Sequence, residues 1–254
     1  MSDVDRTGAA KLIATLEALA EGVRDGGSGL TVADLSRALG RDRSIVSRQL
    51  PPLVELGLVE RTDDGRHRLG WRVFTVATRA GDQRLRLHAP PVMRRLMAVS
   101  QERVHLSVLR GGQVLTVLSE RPQRSVQSTG WVGRTVPASC TATGRALMFD
   151  HSDDEVRALF DADAGGGPKA PVDADQLLDR VRRSRRRGFA IVDGELDVDE
   201  VAAAAPVRDF SGHIVAALNI SAPAYRLRGR LVPAGLQVLA AADHLTSLLT
   251  DEQR

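Results

Sequence analysis

The chain has 254 residues, enough for one large domain or two ordinary ones, and its 43% hydrophobic and 26% charged residues describe a globular protein. Aromatic residues make up only 3%, which argues against the exposed ring platforms of single-strand nucleic-acid binders and leaves the cores to Leu, Val and Ala. The net charge of +3 is too small to define a polyanionic partner and leaves room for a local basic patch.

No stretch approaches the ~18 apolar residues of a membrane span. The N-terminal "MSDVDRTGAAKL" lacks the basic start and apolar middle of a secretion signal, so the expectation is a cytoplasmic protein with no membrane partner. One cysteine, Cys140, excludes an internal disulfide. No Cys/His cluster has zinc-ligand spacing, so neither a metal nor a cofactor is expected. Lys11 and Lys169 are the only lysines beside many arginines, the signature of a high-GC genome.

In chain order, Gly8 to Arg24 reads as a helix with Leu12, Ile13, Leu16 and Leu19 on one face, ended by "DGGSG". In "LTVADLSRALGRDRSIVSRQL", Thr31 and Asp34 have the spacing of a capping box, and Val32, Leu35 and Leu39 form the apolar face of a second helix stopped by Gly40. Ser44 can cap a third helix with Ile45, Val46 and Leu50 inward. Pro51 and Pro52 interrupt its pattern, and a proline inside a helix costs about 3 kcal/mol. The expectation is a kink, with Pro51 to Leu56 a separate short segment. "LVERTDDGRHRLG" then alternates about a "DDG" turn, a hairpin of Leu58 to Thr62 and Arg66 to Leu69.

Helix, turn, helix and hairpin form a winged helix-turn-helix. Trp71 to about Arg86 reads as a connecting helix, with a boundary near Leu87 to Pro90. Beyond it, "PPVMRRLMAVSQE" is helical from Pro91. "RVHLSVLRGGQVLTVLSE" is a hairpin alternating at Val104, Leu106 and Val108, and "SVQSTG" is a short strand. Helices follow over Thr141 to Phe149, Asp153 to Phe160 and Asp173 to Arg187. Strands "GFAIVDGE", "VAAAAPVRD" and "HIVAALNIS" precede a closing helix. The fold class is α+β, an antiparallel sheet flanked by helices. The domains are 1–70 (winged helix-turn-helix), a linker helix 71–89, and 90–254.

A helix-turn-helix lays the N-terminal half of its second helix in the major groove. That half offers Arg41, Arg43, Ser44, Ser47, Arg48 and Gln49, whose guanidinium and amide groups suit base edges and whose hydroxyls suit phosphates. In the wing, Arg66, His67 and Arg68 are placed to approach a phosphate or a minor groove. The expected partner is double-stranded operator DNA.

These residues carry a resemblance to the IclR-type bacterial transcription regulators over nearly the whole chain. The stretch from "LTVADLSRALG" to "HRLGWRV" is similar to that family's DNA-binding domain. The combination of "VHLSVLRGGQVLTV", "VGRTVPASCTATGRALM", "AAAAPVRD" and "ALNISAP" is the more diagnostic part. The resemblance implies a GAF-like, profilin-like effector domain that takes a small organic molecule of carboxylate type, a homodimer commonly paired into a tetramer, and no enzymatic activity. Carried over by position, its effector contacts are Ser139, Cys140, Thr141, Asp193, Glu195, Ala202, Asn219 and Ser221. The chain departs from the family pattern where Ala202 replaces a usual cysteine, Asp199 a usual glycine and Asn219 a usual serine, and in the Pro51–Pro52 pair.

Other readings compete. The start of the "TATGRAL" helix can hold an anion, or Ser139 or Thr141 can simply cap it. Cys140 at that start has the place of a nucleophile, but no histidine stands in motif relationship to it, which favours a lining thiol. "DRVRRSRRRG" is read as the charged face of a helix burying Leu177, Leu178 and Val181. The acidic stretch from Asp193 to Glu200 pairs with those arginines or binds a metal, and it has no calcium-loop spacing. The alternatives to an effector-modulated regulator are an enzyme built on Cys140 or the acidic cluster, and a constitutive repressor with a vestigial pocket.

Overall fold

The computed structural model describes residues 7–24, 29–77, 83–122, 130–160 and 166–251. It divides into two units, Met1–Gln83 and Arg84–Arg254, the division falling inside the stretch expected as the linker helix.

The first unit holds helices α1 (Gly8–Arg24), α2 (Val32–Leu39) and α3 (Arg43–Glu55), strands β1 (Val59–Arg61) and β2 (His67–Leu69), and helix α4 (Trp71–Ala77). The capping box forms as its spacing predicts: the Asp34 N–H donates to Thr31 Oγ1 at 3.2 Å and the Thr31 N–H to Asp34 Oδ2 at 3.1 Å. Gly40 ends α2 in the left-handed region at φ 59°, which an L side chain rarely adopts. Leu19, Leu35, Val46, Leu50, Leu53 and Val59 form the core. Ile13 and Ile45 do not join it, at 52% and 45% exposed; Thr15, fully buried, takes an inward position on α1. Asp42, not Ser44, precedes the first residue of α3, and its side chain makes no capping bond.

The expected break at Pro51 is absent: α3 is one 13-residue helix with both prolines inside. The lost N–H groups would have bonded the carbonyls of Ser47 and Arg48. Those residues and both prolines lie on the exposed face, where water can serve the freed carbonyls, while buried Leu50 and Leu53 hold the helix on either side. Helix α5 (Gln83–Ser100) repeats the device, starting before Pro90 and Pro91 rather than at Pro91. Exposed Arg86 and Leu87 carry its freed carbonyls, and buried Ala89, Val92 and Met93 anchor it.

The second unit is a six-stranded antiparallel sheet in the order β5-β4-β3-β8-β7-β6. Its strands are β3 (Arg103–Arg110), β4 (Gln113–Glu120), β5 (Thr135–Pro137), β6 (Ala190–Asp193), β7 (Glu200–Arg208) and β8 (Ile214–Pro223). Alternation along each strand makes two faces. Val104, Leu106, Val201, Ala203, Ala205, Leu218 and Ile220 pack with α5 and the closing helix α10 (Leu231–Asp251). Val114, Ala190, Val192, Ala204 and Ala217 pack with α6 (Ala142–Leu147), α7 (Asp153–Ala158) and α8 (Ala174–Arg187). A four-residue helix, α9 (Ala224–Leu227), precedes α10. The strand expected in "SVQSTG" falls almost wholly outside the described residues.

The second face is where shape matters for a site. A Cβ on Gly144 would lie 2.1 Å from the Ala138 carbonyl, so only glycine lets α6 sit this tightly on the loop before it.

Candidate functional site

On α3 the core residues Val46, Leu50 and Leu53 fix the rotation of the helix, and helical spacing then turns Ser44, Ser47 and Arg48 outward. Arg43 is exposed as well. Neither Arg43 nor Arg48 has a carboxylate partner among the described residues; Arg48 Nε donates only to the Ser44 carbonyl, at 3.2 Å. Arg41 and Gln49 are held differently. Arg41 Nη1 donates to the Lys11 carbonyl at 3.4 Å, and Gln49 Nε2 to the Lys11 carbonyl and Thr15 Oγ1, both at 3.2 Å. Gln49 therefore braces α3 against α1.

In the wing, Arg66 contacts Asp64 at 3.1 Å and the Gly29 carbonyl at 3.2 Å, and Arg68 pairs with Glu60 at 3.0 Å. Such exposed pairs are worth little and exchange readily for a phosphate. His67 is a correction: it is 6% exposed, and its backbone bonds Leu30 in both directions at 2.8 Å. Burial pushes its pKa down, with Arg61 adding to the effect. It joins the wing to the start of α2 and offers a phosphate nothing.

The second site is a pocket on the α6 face of the sheet, whose space with its open mouth included is about 550 Å³. Of the carried-over effector residues, Cys140, Thr141, Ala202, Asn219 and Ser221 line it, and Ser139, Asp193 and Glu195 do not. Ser139 is buried beside Cys140. Asp193 lies among cations, 3.3 Å from Lys169 and 2.9 Å from Arg228, which hold its pKa below the usual range, chiefly through the Arg228 hydrogen bond. Glu195 is buried and bonded to Arg145, 2% exposed, and to Arg180 at 2.5 Å. It is a structural ion pair behind the pocket wall.

The anion reading of the α6 start gives way to the plainer one. Thr141 caps the helix, its Oγ1 accepting from the Gly144 N–H at 3.0 Å, and a helix only six residues long adds little dipole. Cys140 is 1% exposed, its sulfur 3.8 Å from the Pro137 carbonyl, and burial pushes its pKa up. That environment disfavours a thiolate, as a lining residue tolerates and a nucleophile does not.

Sequence reasoning missed His105, Ser107, Thr116, Trp131 and Glu200, all in the lining. The signal was in β3. Val104 and Leu106 mark the core face, so the polar His105 and Ser107 between them belong to the opposite face. His105 is 4% exposed, and neither ring nitrogen has a hydrogen-bond partner. Burial, with Arg103 adding to it, pushes its pKa down to about 3, so the ring is neutral. Trp131 packs against it at 5.4 Å between ring centroids. Opposite, Asn219 Oδ1 accepts the His105 backbone N–H at 3.2 Å.

Residues 78–247 match the family model for the C-terminal part of the bacterial transcriptional regulator IclR, a stretch that takes in every strand of the six-stranded sheet. Residues 15–75 match a model described as HVO_A0114. The Pca regulon regulatory protein of Pseudomonas putida is 30% identical over 242 residues, covering 93% of this chain and 81% of that protein. The HTH-type transcriptional repressor AllR of Salmonella typhi is 28% identical, covering 89% and 85%. Among solved structures, an IclR homolog from Microbacterium hydrocarbonoxydans complexed with 4-hydroxybenzoate superposes with a TM-score of 0.80 at 23% identity, covering 96% of this chain and all of that one. The Thermotoga maritima IclR superposes at 0.76 with 18% identity, covering 95% and 99%. With its capped helices, its wing and its two-faced sheet all inside these matches, the chain belongs to the IclR family of bacterial transcriptional regulators.

Proposed function

We propose that α3 reads operator DNA through Arg43, Ser44, Ser47 and Arg48, that Arg66 and Arg68 of the wing contact phosphates, and that a small organic effector in the α6-face pocket changes operator affinity. The protein acts as a homodimer, or as a pair of dimers, on a pseudo-palindromic site in the cytoplasm, and it turns over no substrate. Effector binding shifts the population of states that differ in the spacing of the two reading helices. One observation carries this reading: Arg43 and Arg48 stand exposed on α3 with no carboxylate among the described residues to hold them.

The test is fluorescence-anisotropy binding of the full chain to the DNA upstream of its own gene, beside an unrelated duplex of equal length at near-physiological salt. A preference of ~10³-fold or more is expected for a specific regulator. Arg43→Ala with Arg48→Ala is expected to abolish it without lowering the melting temperature. Equal binding to both duplexes, or a preference indifferent to the double substitution, would sink the assignment of α3.

A further inference from the structure

Among the described residues the pocket's lining contains no lysine or arginine and does contain a carboxyl, Glu200. The cations described near it are already engaged. Arg103, on the same face of β3 as His105, offsets the charge of Glu200. The Arg134 guanidinium sits over the Trp131 ring, 5.7 Å from its centroid. Arg145 lies behind the wall, bound to Glu195. The influence of that pair at Cys140, secondary to burial, is led by the Glu195 carboxylate rather than by Arg145.

The uncharged groups are well supplied. His105 presents a neutral ring with two open nitrogens, one a donor and one an acceptor whichever tautomer it takes. Ser107 and Thr116 hydroxyls stand 3.4 Å apart, and Trp131 offers an aromatic wall.

From this lining we infer that the pocket selects a small uncharged ring or amide compound that donates a hydrogen bond, and that Glu200 is the residue that rejects carboxylates. The inference rests on the effector reading of the pocket and replaces the carboxylate ligand that the family resemblance implies. Burial raises the Glu200 pKa, while the Ser221 hydroxyl and Arg103 favour its charged form. An anionic ligand must either face that charge or drive a proton onto it. A neutral donor does neither and gives the His105 ring, whose nitrogens are unmet, a partner inside the pocket. Leaving such groups unmet on binding is what makes polar sites selective.

The experiment is isothermal titration calorimetry of the full chain at neutral pH with matched amide and carboxylate probes: propionamide against propionate, benzamide against benzoate, and 4-hydroxybenzamide against 4-hydroxybenzoate. At least one amide is expected to bind about tenfold or more tighter than its carboxylate twin, a ratio that corresponds to about 1.4 kcal/mol. Glu200→Gln removes the charge at nearly constant shape and is expected to close the gap by strengthening the carboxylate. A carboxylate that binds wild-type protein as tightly as its amide, or six probes that all fail to bind, would overturn the ligand class. A ratio unchanged in a folded Glu200→Gln protein would overturn the role of Glu200. The wild-type ratio stands as a test even if that variant does not fold. Operator binding is read separately, so loss of operator preference with the ratio intact fells the regulator reading alone.

Discussion

Helices α3 and α8 are both rich in arginine, and they use it in opposite ways. On α8, Arg180 is bonded to buried Glu195, Arg182 to Asp153, Arg185 to the carbonyls of Met148 and His151, and Arg187 to the Phe189 carbonyl. Arg183 and Arg186 are exposed and have no acidic partner among the described residues. On α3, Arg43 and Arg48 have no acidic partner among the described residues, and the inward positions are filled by Val46, Leu50 and Leu53. Density of basic residues therefore does not mark a polyanion site. An open guanidinium does not mark one alone either, since Arg183 and Arg186 are exposed as Arg43 and Arg48 are; what sets α3 apart is that its open cations stand on the second helix of a helix-turn-helix, the element that enters the major groove. Glu195, bonded to two arginines, and His105, open inside the pocket, differ in what the fold has already bonded.

The comparison breaks most visibly at Glu195. If it is structural, Glu195→Gln leaves Arg145 buried without its counter-charge and destabilises the effector unit by about 3–5 kcal/mol. Chemical denaturation of the full chain measures this. An unchanged transition with altered ligand affinity would return Glu195 to the effector contacts.

His105 sharpens the other side. Its folded pKa of about 3 lies below the ordinary value of 6.5, so its contribution is complete above pH 6.5 and is lost as pH falls, when the unfolded chain takes the proton first. The loss reaches about 2 kcal/mol at pH 5. His105→Gln should flatten that part of the pH–stability curve of the effector unit. A curve with the same slope in the variant would show that His105 is not held neutral. His67, pushed the same way by burial, lies in the other unit, so the effector-unit transition must be followed by itself.

The smallest effect is at Gln49. As a brace between α3 and α1, its replacement by Ala should cost about 1 kcal/mol of stability and leave the pattern of preferred operator bases unchanged. A stable Gln49→Ala protein with relaxed specificity at one base pair would make Gln49 a reader like Arg48.

Much of the fold was legible because it is written locally. The Thr31/Asp34 box, the stop at Gly40, the "DDG" hairpin and the alternation of β3 each depend on residues within a few positions of one another. The prolines misled for a related reason. Propensity condemns Pro51 and Pro52 inside a helix, but the cost depends on whether the freed carbonyls reach water, and that is set by which face the core leaves exposed. Pro90 and Pro91 make the same point in the other unit.

The sequence by itself determined most of the element order, though not β5, α9 or the unbroken α3, together with the winged helix-turn-helix, the family and five residues that line the pocket, through short-range periodicity and matched motifs. Only the tertiary structure decided which polar side chains were already taken. Gln49 is bound to Lys11, 38 positions away, and Glu195 to Arg145, 50 away, while His67 is buried on a strand whose backbone is bonded to Leu30. Hydrogen bonds and ion pairs of this range follow from how helices and strands pack. A residue's type states what it can bond, and the fold alone states what it has bonded.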